Sequence, residues 1–170
     1  VLNGWSIYGS NGARTLKLVK EEDGTKSLEF ASNGGGGSTV GVYQWADQTD
    51  QYVIDFTAKF PAGMGFGVYA NTPNNGNNSP EWTASVGSGA LTAGTQTISG
   101  IDASAWNRYV VSADPSINKY TITVYGPDGE KIGETEEIDM TNPDASQVYF
   151  CFMGTWPMYL NSFEAYKPVV

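Results

Sequence analysis

Alternation of apolar and polar residues over 51–60 constrains the fold of this chain more than any other feature. Every second position is apolar: Tyr52, Ile54, Phe56, Ala58 and Phe60. The intervening positions 55, 57 and 59 carry Asp, Thr and Lys. A period of two is the signature of a strand with one buried face. Residues 119–125 repeat it, with Tyr120, Ile122 and Val124 on the apolar side.

Further strands are predicted where β-branched and aromatic runs are bounded by turn residues. They are Trp5–Tyr8, Thr15–Lys20, Lys26–Ala31, Thr39–Trp45, Met64–Ala70, Trp82–Val86, Arg108–Ala113, Val148–Met153 and Tyr159–Tyr166. Asp23-Gly24 and Asp128-Gly129 lie between such runs and predict hairpin turns, because Gly accepts positive φ. The chain then has about ten to thirteen short strands and no helix. This pattern favours an all-β fold, an antiparallel two-sheet β-sandwich of jelly-roll type.

Length and composition favour a single domain spanning 1–170. The chain has 170 residues, of which 40% are hydrophobic and 16% charged, as in a globular protein. The glycine run at 34–37 is interpreted as a loop, since the segments on both sides of it are predicted strands. The segment opens on Val1 without an initiator Met or a leader, which predicts a mature or excised module.

Charge and residue content exclude several classes of function. Lys plus Arg is 9 and Asp plus Glu is 18, for a net charge of −9. Nucleic acid, anionic membranes and polyanionic polysaccharides are therefore disfavoured partners. No stretch reaches the ~20 apolar residues of a membrane span. Histidine is absent, which removes imidazole catalysis and imidazole zinc sites, and the single cysteine, Cys151, is predicted to be a buried thiol.

Several short segments together resemble jelly-roll carbohydrate-binding modules and concanavalin A-like domains. They are Asn3-Gly-Trp5, Gly24–Phe30, Trp106–Val111, Tyr120–Gly129 and Asn161–Tyr166. The resemblance implies glycan binding through surface aromatics, no catalytic site, and attachment to a polysaccharide-degrading enzyme or a surface protein. Many such modules also carry a structural Ca²⁺. The usual Asp before the last strand is replaced here by Asn161-Ser162, and the acidic residues are scattered, so a metal site is left undetermined.

Aromatic rings and amides are the groups that sugars need, because a pyranose stacks its C–H face on a ring and its hydroxyls bind polar side chains. The segment 71–82, NTPNNGNNSPEW, is predicted to be a loop rim that presents Trp82 to a ligand, and Trp156 lies in a second irregular segment. The hydroxyl partners predicted beside them are Asn71, Asn77, Asn78 and Glu81. A sheet face carrying Gly41, Tyr43 and Trp45 is the alternative platform.

Two other classes of function stay open. Residues 137–142 resemble the Glu-x-Asp-x-x-Glu motif of laminarinase-type glycoside hydrolases, with Glu137 and Asp139 in place but Asn142 at the sixth position. A hydrolase or lyase with this degenerate motif, and an adhesive domain with a protein partner, are the alternatives. The sequence favours a non-catalytic carbohydrate-binding module that is covalently linked to other modules in its native chain. It is predicted to be a secreted or cell-surface, monomeric domain that binds a neutral polysaccharide or oligosaccharide without a required cofactor.

Overall fold

The computed structural model describes residues 5–8, 14–32, 38–46, 50–70, 79–141, 147–154 and 157–168. Within these ranges the chain forms fifteen strands and no helix, so no described helix is long and apolar enough to cross a membrane. The strands are β1 (Trp5–Tyr8), β2 (Arg14–Lys20), β3 (Lys26–Ser32), β4 (Ser38–Ala46), β5 (Tyr52–Lys59), β6 (Met64–Ala70), β7 (Ser79–Gly87), β8 (Ala90–Ala93), β9 (Gln96–Ser99), β10 (Asn107–Asp114), β11 (Lys119–Tyr125), β12 (Lys131–Glu134), β13 (Ile138–Asp139), β14 (Gln147–Gly154) and β15 (Met158–Tyr166).

The strands form two antiparallel sheets. The seven-stranded sheet has the order β1-β4-β14-β6-β7-β8-β9. The eight-stranded sheet has the order β12-β11-β10-β5-β15-β3-β2, with β13 also paired to β11. Neighbours within a sheet are often distant in sequence, as β4, β14 and β6 are. The strands that follow β4 and β14 in the chain, β5 and β15, belong to the other sheet, so the chain crosses repeatedly between the two sheets. The predicted all-β antiparallel sandwich is confirmed.

Every predicted strand is present, but the predicted number of strands was too low. The strands that were not predicted are β8, β9, β12 and β13. Each is four residues or fewer, too short for alternation to be recognised in the sequence. Both predicted hairpin turns are confirmed, with Gly24 at a φ of 86° and Gly129 at a φ of 83°.

The core is an aromatic layer between the sheets. Tyr52, Ile54, Phe56, Ala58 and Phe60 are all buried, as their alternation predicts. Phe56 lies at the centre, with ring centroids at 5.1–5.7 Å from its neighbours across the sandwich and beside it: Phe66, Tyr109, Phe150 and Phe152. One hydrophobic cluster therefore joins the two sheets.

Candidate functional site

Charge is distributed very unevenly between the two sheets. Glu81 is the only charged residue in the sequences of the seven strands that form the seven-stranded sheet. The strands of the eight-stranded sheet carry both arginines and most of the lysines of the chain. The outer face of the seven-stranded sheet is therefore the surface that suits an uncharged ligand.

Alternation decides which residues of the central strands lie on that outer face. Met64, Phe66 and Val68 of β6 belong to the core, and so do Phe150 and Phe152 of β14. Successive residues of a strand face opposite sides. The outward positions are consequently Gly65, Gly67 and Tyr69 on β6, and Tyr149, Cys151 and Met153 on β14.

Tyr69 lies along the outer face instead of standing out from it. Its hydroxyl donates a hydrogen bond to Met153 Sδ at 2.9 Å. Tyr69 is paired with Tyr149, however, and Met153 is four residues further along β14, a distance of about 13 Å. The two side chains meet over that distance only when each extends along the sheet towards the other. The Tyr69 side chain is therefore held along the outer face of the sheet, where it is partly buried.

Gly67 and Cys151 are paired with each other on the neighbouring positions of β6 and β14. β7 approaches Gly67 so closely that a Cβ there would be 2.4 Å from the Trp82 carbonyl oxygen and 3.1 Å from Thr83 Cγ2. Cys151 is fully buried although it is on the outer face. Burial raises the pKa of the Cys151 thiol. Burial, and to a smaller extent the nearby Cys151, raises the pKa of Tyr69 to about 12. Both groups are therefore neutral at physiological pH.

Small hydroxyl side chains border this aromatic platform. Thr83 and Ser85 on β7 are exposed, and they are paired with Gly67 and Gly65. Thr92 on β8 is exposed and paired with Ser85. On the other side, the backbone register places Tyr149 between Tyr69 and the β4 position Tyr43. This face therefore combines an aromatic side chain with exposed hydroxyl groups, which are the two kinds of group that sugars contact.

The structure places Trp82 in the core, so the prediction of an exposed Trp82 is wrong. The predicted loop ends earlier than expected, because β7 begins at Ser79. Trp82 is 1% exposed, its ring is 5.2 Å from that of Tyr120, and its Nε1 donates to the Tyr52 hydroxyl at 2.9 Å. A buried indole with a satisfied N–H is a packing residue that joins the two sheets.

Glu81 is also buried, which contradicts its predicted role as an accessible hydroxyl partner. Pairing between β6 and β7 shifts between Val68 and Tyr69, and Glu81 is the extra residue of this β-bulge. The residue is 2% exposed, and no described residue bonds its Oε2. Burial raises the pKa of Glu81 to about 7.

The remaining predicted ligand-binding residues are only partly described. Asn71, Asn77, Asn78 and Trp156 lie outside the described residues, and their roles stay predictions.

Tyr43 and Trp45 are on β4, but they do not share a face as predicted. The pairing of β4 with β14 shifts there, so that Tyr43 is opposite Tyr149 and Trp45 is opposite Val148. Neighbouring residues of β14 face opposite sides. The irregularity in register therefore places the Tyr43 position on the outer face, in line with Tyr69, and the Trp45 position on the opposite face.

The acidic motif of the enzyme alternative lies elsewhere, on the eight-stranded sheet. Asp139 is exposed and accepts a hydrogen bond from Lys119 at 2.6 Å, while Ile138 is buried between the two carboxylates. Glu137 lines an open concavity of about 450 Å³, together with Asp114 and Lys119. Asn142 is not among the described residues. Glu137 and Asp139 face outwards together, as alternation predicts, but they are far in the fold from the Tyr69 platform.

The described residues do not offer a metal site. Among them, no group of three or more His, Cys, Asp or Glu side chains lies close enough to hold a metal ion. Asn161 and Ser162, which stand where the resemblance implies a calcium ligand, are both exposed. A structural calcium ion stays a prediction from the resemblance.

Comparison with known proteins supports the fold. Neither a protein-family model nor a curated protein matches the sequence. Among solved structures, alginate lyase A1-II′ superposes with a TM-score of 0.63 at 11% identity, covering 98% of this chain and 96% of that chain. The potassium-bound carbohydrate recognition domain of Emp46p gives 0.62 at 10% identity, covering 99% and 91%.

A third match is arcelin-5, a lectin-like defence protein from Phaseolus vulgaris, with a TM-score of 0.56 at 11% identity, covering 95% of this chain and 97% of that chain. These matches show a jelly-roll sandwich. At such low identity they show the fold alone, and they include both lectin-like proteins and an enzyme.

Sequence reasoning missed Tyr69, although a signal for it exists. The predicted strand Met64–Ala70 reads Met-Gly-Phe-Gly-Val-Tyr-Ala, with glycines on alternate positions before the tyrosine. Glycines on one face of a strand mark a place where another group approaches the backbone closely. At Gly67 that group is the neighbouring strand β7, with the Trp82 carbonyl oxygen and the Thr83 side chain. Its hydroxyl bond to Met153, far away in the sequence, gives no local signal.

Proposed function

We propose that this domain is a non-catalytic carbohydrate-binding module whose site is the outer face of the seven-stranded sheet. The observation that carries the proposal is the uncharged outer face of this sheet, along which the Tyr69 side chain extends to Met153, beside the exposed hydroxyls of Thr83 and Ser85. An immobilised aromatic ring stacks on a pyranose without losing side-chain freedom on binding. The neighbours include a carbohydrate recognition domain and a lectin-like protein, which agrees with this proposal at the level of the fold.

The ligand is a neutral glycan. An acidic polysaccharide needs cationic partners, and the strands of the seven-stranded sheet contain neither Lys nor Arg. The net charge of −9 would also repel a polyanion over longer distances. An uncharged face loses little by covering itself with an uncharged sugar, because no charged group must be desolvated.

The composition of the same face supports the proposal of binding without catalysis. Hydrolysis of a glycosidic bond uses a pair of carboxyl groups on either side of the bond. The single carboxyl group of these strands, Glu81, is buried in the bulge of β7. We further propose that the domain is secreted or displayed at a cell surface, where polysaccharides occur, and that it is linked to other modules in its native chain.

Affinity electrophoresis tests the proposal. The wild type is run through gels containing barley β-glucan, xylan, glucomannan or laminarin, with alginate as a polyanionic control. We expect retardation by at least one neutral polysaccharide and none by alginate. Tyr69→Ala should weaken the binding about 10- to 100-fold, on the scale of aromatic stacking on flat ligands. The matched control is Tyr166→Ala, because Tyr166 is 46% exposed on the eight-stranded sheet.

Three results would contradict the proposal. They are retardation by none of the neutral polysaccharides, equal binding by Tyr69→Ala and the wild type, and steady release of reducing ends from a bound glycan.

Addition of EDTA should change neither the retardation nor the melting temperature, because we propose that binding requires no metal. Loss of either would indicate a metal site among residues outside the described ranges.

A further inference from the structure

We infer that Glu81 is a pH-sensitive switch of strand register, which turns from the interior to the outer face of the seven-stranded sheet when it loses its proton. The inference rests on three observations. Glu81 is the extra residue of a β-bulge, it is buried, and no described residue bonds its Oε2. The inference goes beyond the proposed function, because it concerns how the fold itself responds to pH.

The bulge makes two successive residues of β7 face the interior. Successive residues of a regular strand face opposite sides. A residue next to the buried Trp82 would then face outwards, as the exposed Thr83 does. Glu81 is nevertheless 2% exposed. The bulge therefore keeps in the interior a carboxyl group that regular alternation would place at the surface.

Regular pairing would place Glu81 opposite Tyr69. Val68 is paired with Trp82, and the next two positions in an antiparallel register are Tyr69 and Glu81. The structure instead pairs Tyr69 with Pro80. Directly paired residues share a face, so that a shift of this strand end by one residue would carry Glu81 to the outer face. Pro80 has no N–H, which limits the hydrogen bonds that the shift would break.

Protonation decides which of the two registers is favoured. A neutral carboxyl group can stay in the interior at moderate cost, whereas a carboxylate there needs a cation or several hydrogen-bond donors. The strands of the seven-stranded sheet contain neither Lys nor Arg. Burial accordingly raises the pKa of Glu81 from 4.5 to about 7. Ionisation therefore favours the register in which water reaches Glu81.

The titratable side chains on the strands around Glu81 stay neutral in this range of pH. Burial, and less strongly the charge of Glu81, raises the pKa of Tyr52 on β5. Burial also raises the pKa of Tyr69 on β6 and of Tyr120 on β11 to about 12, and it raises the pKa of Cys151 on β14. None of these groups supplies a positive charge to Glu81.

The segment that follows β13 contacts Glu81 through the backbone. The Thr141 N–H donates to the Glu81 carbonyl oxygen at 2.7 Å. The charged residue of β13 is Asp139, which is exposed and accepts a hydrogen bond from Lys119 of β11. Lys119 is therefore already paired. Among the described residues of these elements, Glu81 is the one whose ionisation is left without a partner.

NMR spectroscopy of the wild type and Glu81→Gln at pH 6 and pH 8 tests the inference. Backbone nuclear Overhauser contacts between β6 and β7 show which residue is opposite Tyr69. We expect the contact with Pro80 at pH 6 and a gain of the contact with Glu81 at pH 8. For pKa values of about 7 inside and 4.5 outside, the ratio of the outward to the inward form should rise about 10-fold over this interval.

The variants separate Glu81 from the other carboxyl groups. Glu81→Gln cannot ionise and should keep the Pro80 contact at both pH values. Glu137→Gln is the matched control, because Glu137 is exposed, and it should behave as the wild type. A ¹³C titration of the glutamate carboxyl groups of the wild type measures the pKa of Glu81 directly, whether or not a variant folds.

Three results would overturn the inference. They are identical contacts between β6 and β7 in the wild type at both pH values, titration of the Glu81 carboxyl group at its ordinary pKa of 4.5, and a pH-dependent change of contacts that persists in Glu81→Gln. The first two are measured on the wild type alone.

The consequence for a ligand rests on the proposed function. A carboxylate opposite Tyr69 would lose water when a neutral sugar covers the face. Relative to a gel without polysaccharide, the wild type should therefore be retarded less at pH 8 than at pH 6, and Glu81→Gln equally at both. Absence of retardation at either pH would contradict the proposed function, while the contacts of Tyr69 still decide the register switch. Equal retardation of the wild type at both pH values would contradict the consequence.

Discussion

The outer face of the seven-stranded sheet presents an uncharged ring and hydroxyl groups, whereas the outer face of the eight-stranded sheet is crossed by ion pairs. On the latter, Arg108 binds Asp55 through two hydrogen bonds of 2.6 and 2.9 Å, and Lys59 lies 3.1 Å from Glu21. The acidic composition of the whole chain therefore says little about the surface that meets a ligand. The distribution of charge between the sheets is the more informative property.

The aromatic residues of the two faces differ in the same way. Lys59 Nζ lies 4.7 Å from the ring centroids of both Trp106 and Tyr159, and the Arg108 guanidinium lies 5.5 Å from that of Tyr125. These rings are engaged by cations of their own chain. The strands of the sheet that carries Tyr69 contain neither Lys nor Arg, and the Tyr69 hydroxyl donates a hydrogen bond to Met153 Sδ. The described surface aromatics of the two sheets therefore differ in the charge of their surroundings.

The largest expected effect separates the core aromatic of the seven-stranded sheet from the surface aromatic. Trp82→Ala should lower the free energy of unfolding by about 3–5 kcal/mol, because it empties a buried site and removes the donor to Tyr52. Tyr69→Ala, with its ring at the surface, should cost far less stability. Urea unfolding of both variants measures the difference. Equal losses of stability would show that Tyr69 is a core residue and not a platform.

Glu81 gives the second prediction, because it is the one charge in the strands of the uncharged sheet. Burial raises its pKa from 4.5 to about 7, so that the folded chain keeps a proton that the unfolded chain has released. The contribution of protonated Glu81 to the free energy of unfolding is fully present below pH 4.5, and it is lost as the pH rises to about 7. Glu81→Gln should remove this loss and stabilise the protein at pH 8 by roughly 3 kcal/mol.

The measurement is the free energy of unfolding of Glu81→Gln and the wild type between pH 4 and pH 8. Subtracting the two curves removes the contributions of the other carboxyl groups, several of which have lowered pKa values and act in the opposite direction. Glu137→Gln is the control, because Glu137 is exposed. A difference that does not change with pH would mean that Glu81 is ionised in the folded protein at low cost.

A new charge on the uncharged face should weaken glycan binding. In Ser85→Asp, the carboxylate would lie beside the Tyr69 platform and would lose water when a neutral sugar covers it, at a cost of about 1–3 kcal/mol. The matched change on the other sheet is Ser112→Asp, at an exposed position of β10. Calorimetric titration of both variants with the bound glycan measures the effect. Equal affinities would contradict the assignment of the site to the seven-stranded sheet.

The smallest effect is expected for the ion pairs of the eight-stranded sheet. Arg108→Gln should lower the free energy of unfolding by less than about 1 kcal/mol, because the Arg108 side chain is 52% exposed and its pair with Asp55 is screened by salt. Glycan binding should be unchanged. The check is urea unfolding at low and high salt, in which the difference from the wild type should shrink as salt is added.

The sandwich could be predicted from the sequence, because alternation in β5 and β11 directly encodes which residues are buried. The strands of four residues or fewer could not, since they contain too few periods. Trp82 was assigned wrongly because its neighbours in sequence are polar. Its burial depends on Tyr52 and Tyr120, which are distant in the chain, and on a bulge that places Glu81 and Trp82 together in the interior.

The platform itself was not predictable in full. The glycines of β6 and the tyrosine that follows them are local features, but the neighbours that give them meaning come from β14 and β7. Only the antiparallel register brings Cys151 beside Gly67 and aligns Ser85, Thr92 and Thr97. Sequence periodicity fixes the face of each residue within its strand. It does not specify which strands become neighbours.

Chemical shift mapping tests the central claim most directly, because a protein of 18.2 kDa is well suited to NMR. A bound neutral oligosaccharide is titrated into ¹⁵N-labelled protein, and the backbone amide shifts are placed on the two sheets. The account predicts the largest shifts in β6, β7, β8 and β14, around Tyr69, with β5, β10 and β11 nearly unchanged. Shifts concentrated on the eight-stranded sheet, around Trp106 or Glu137, would contradict it.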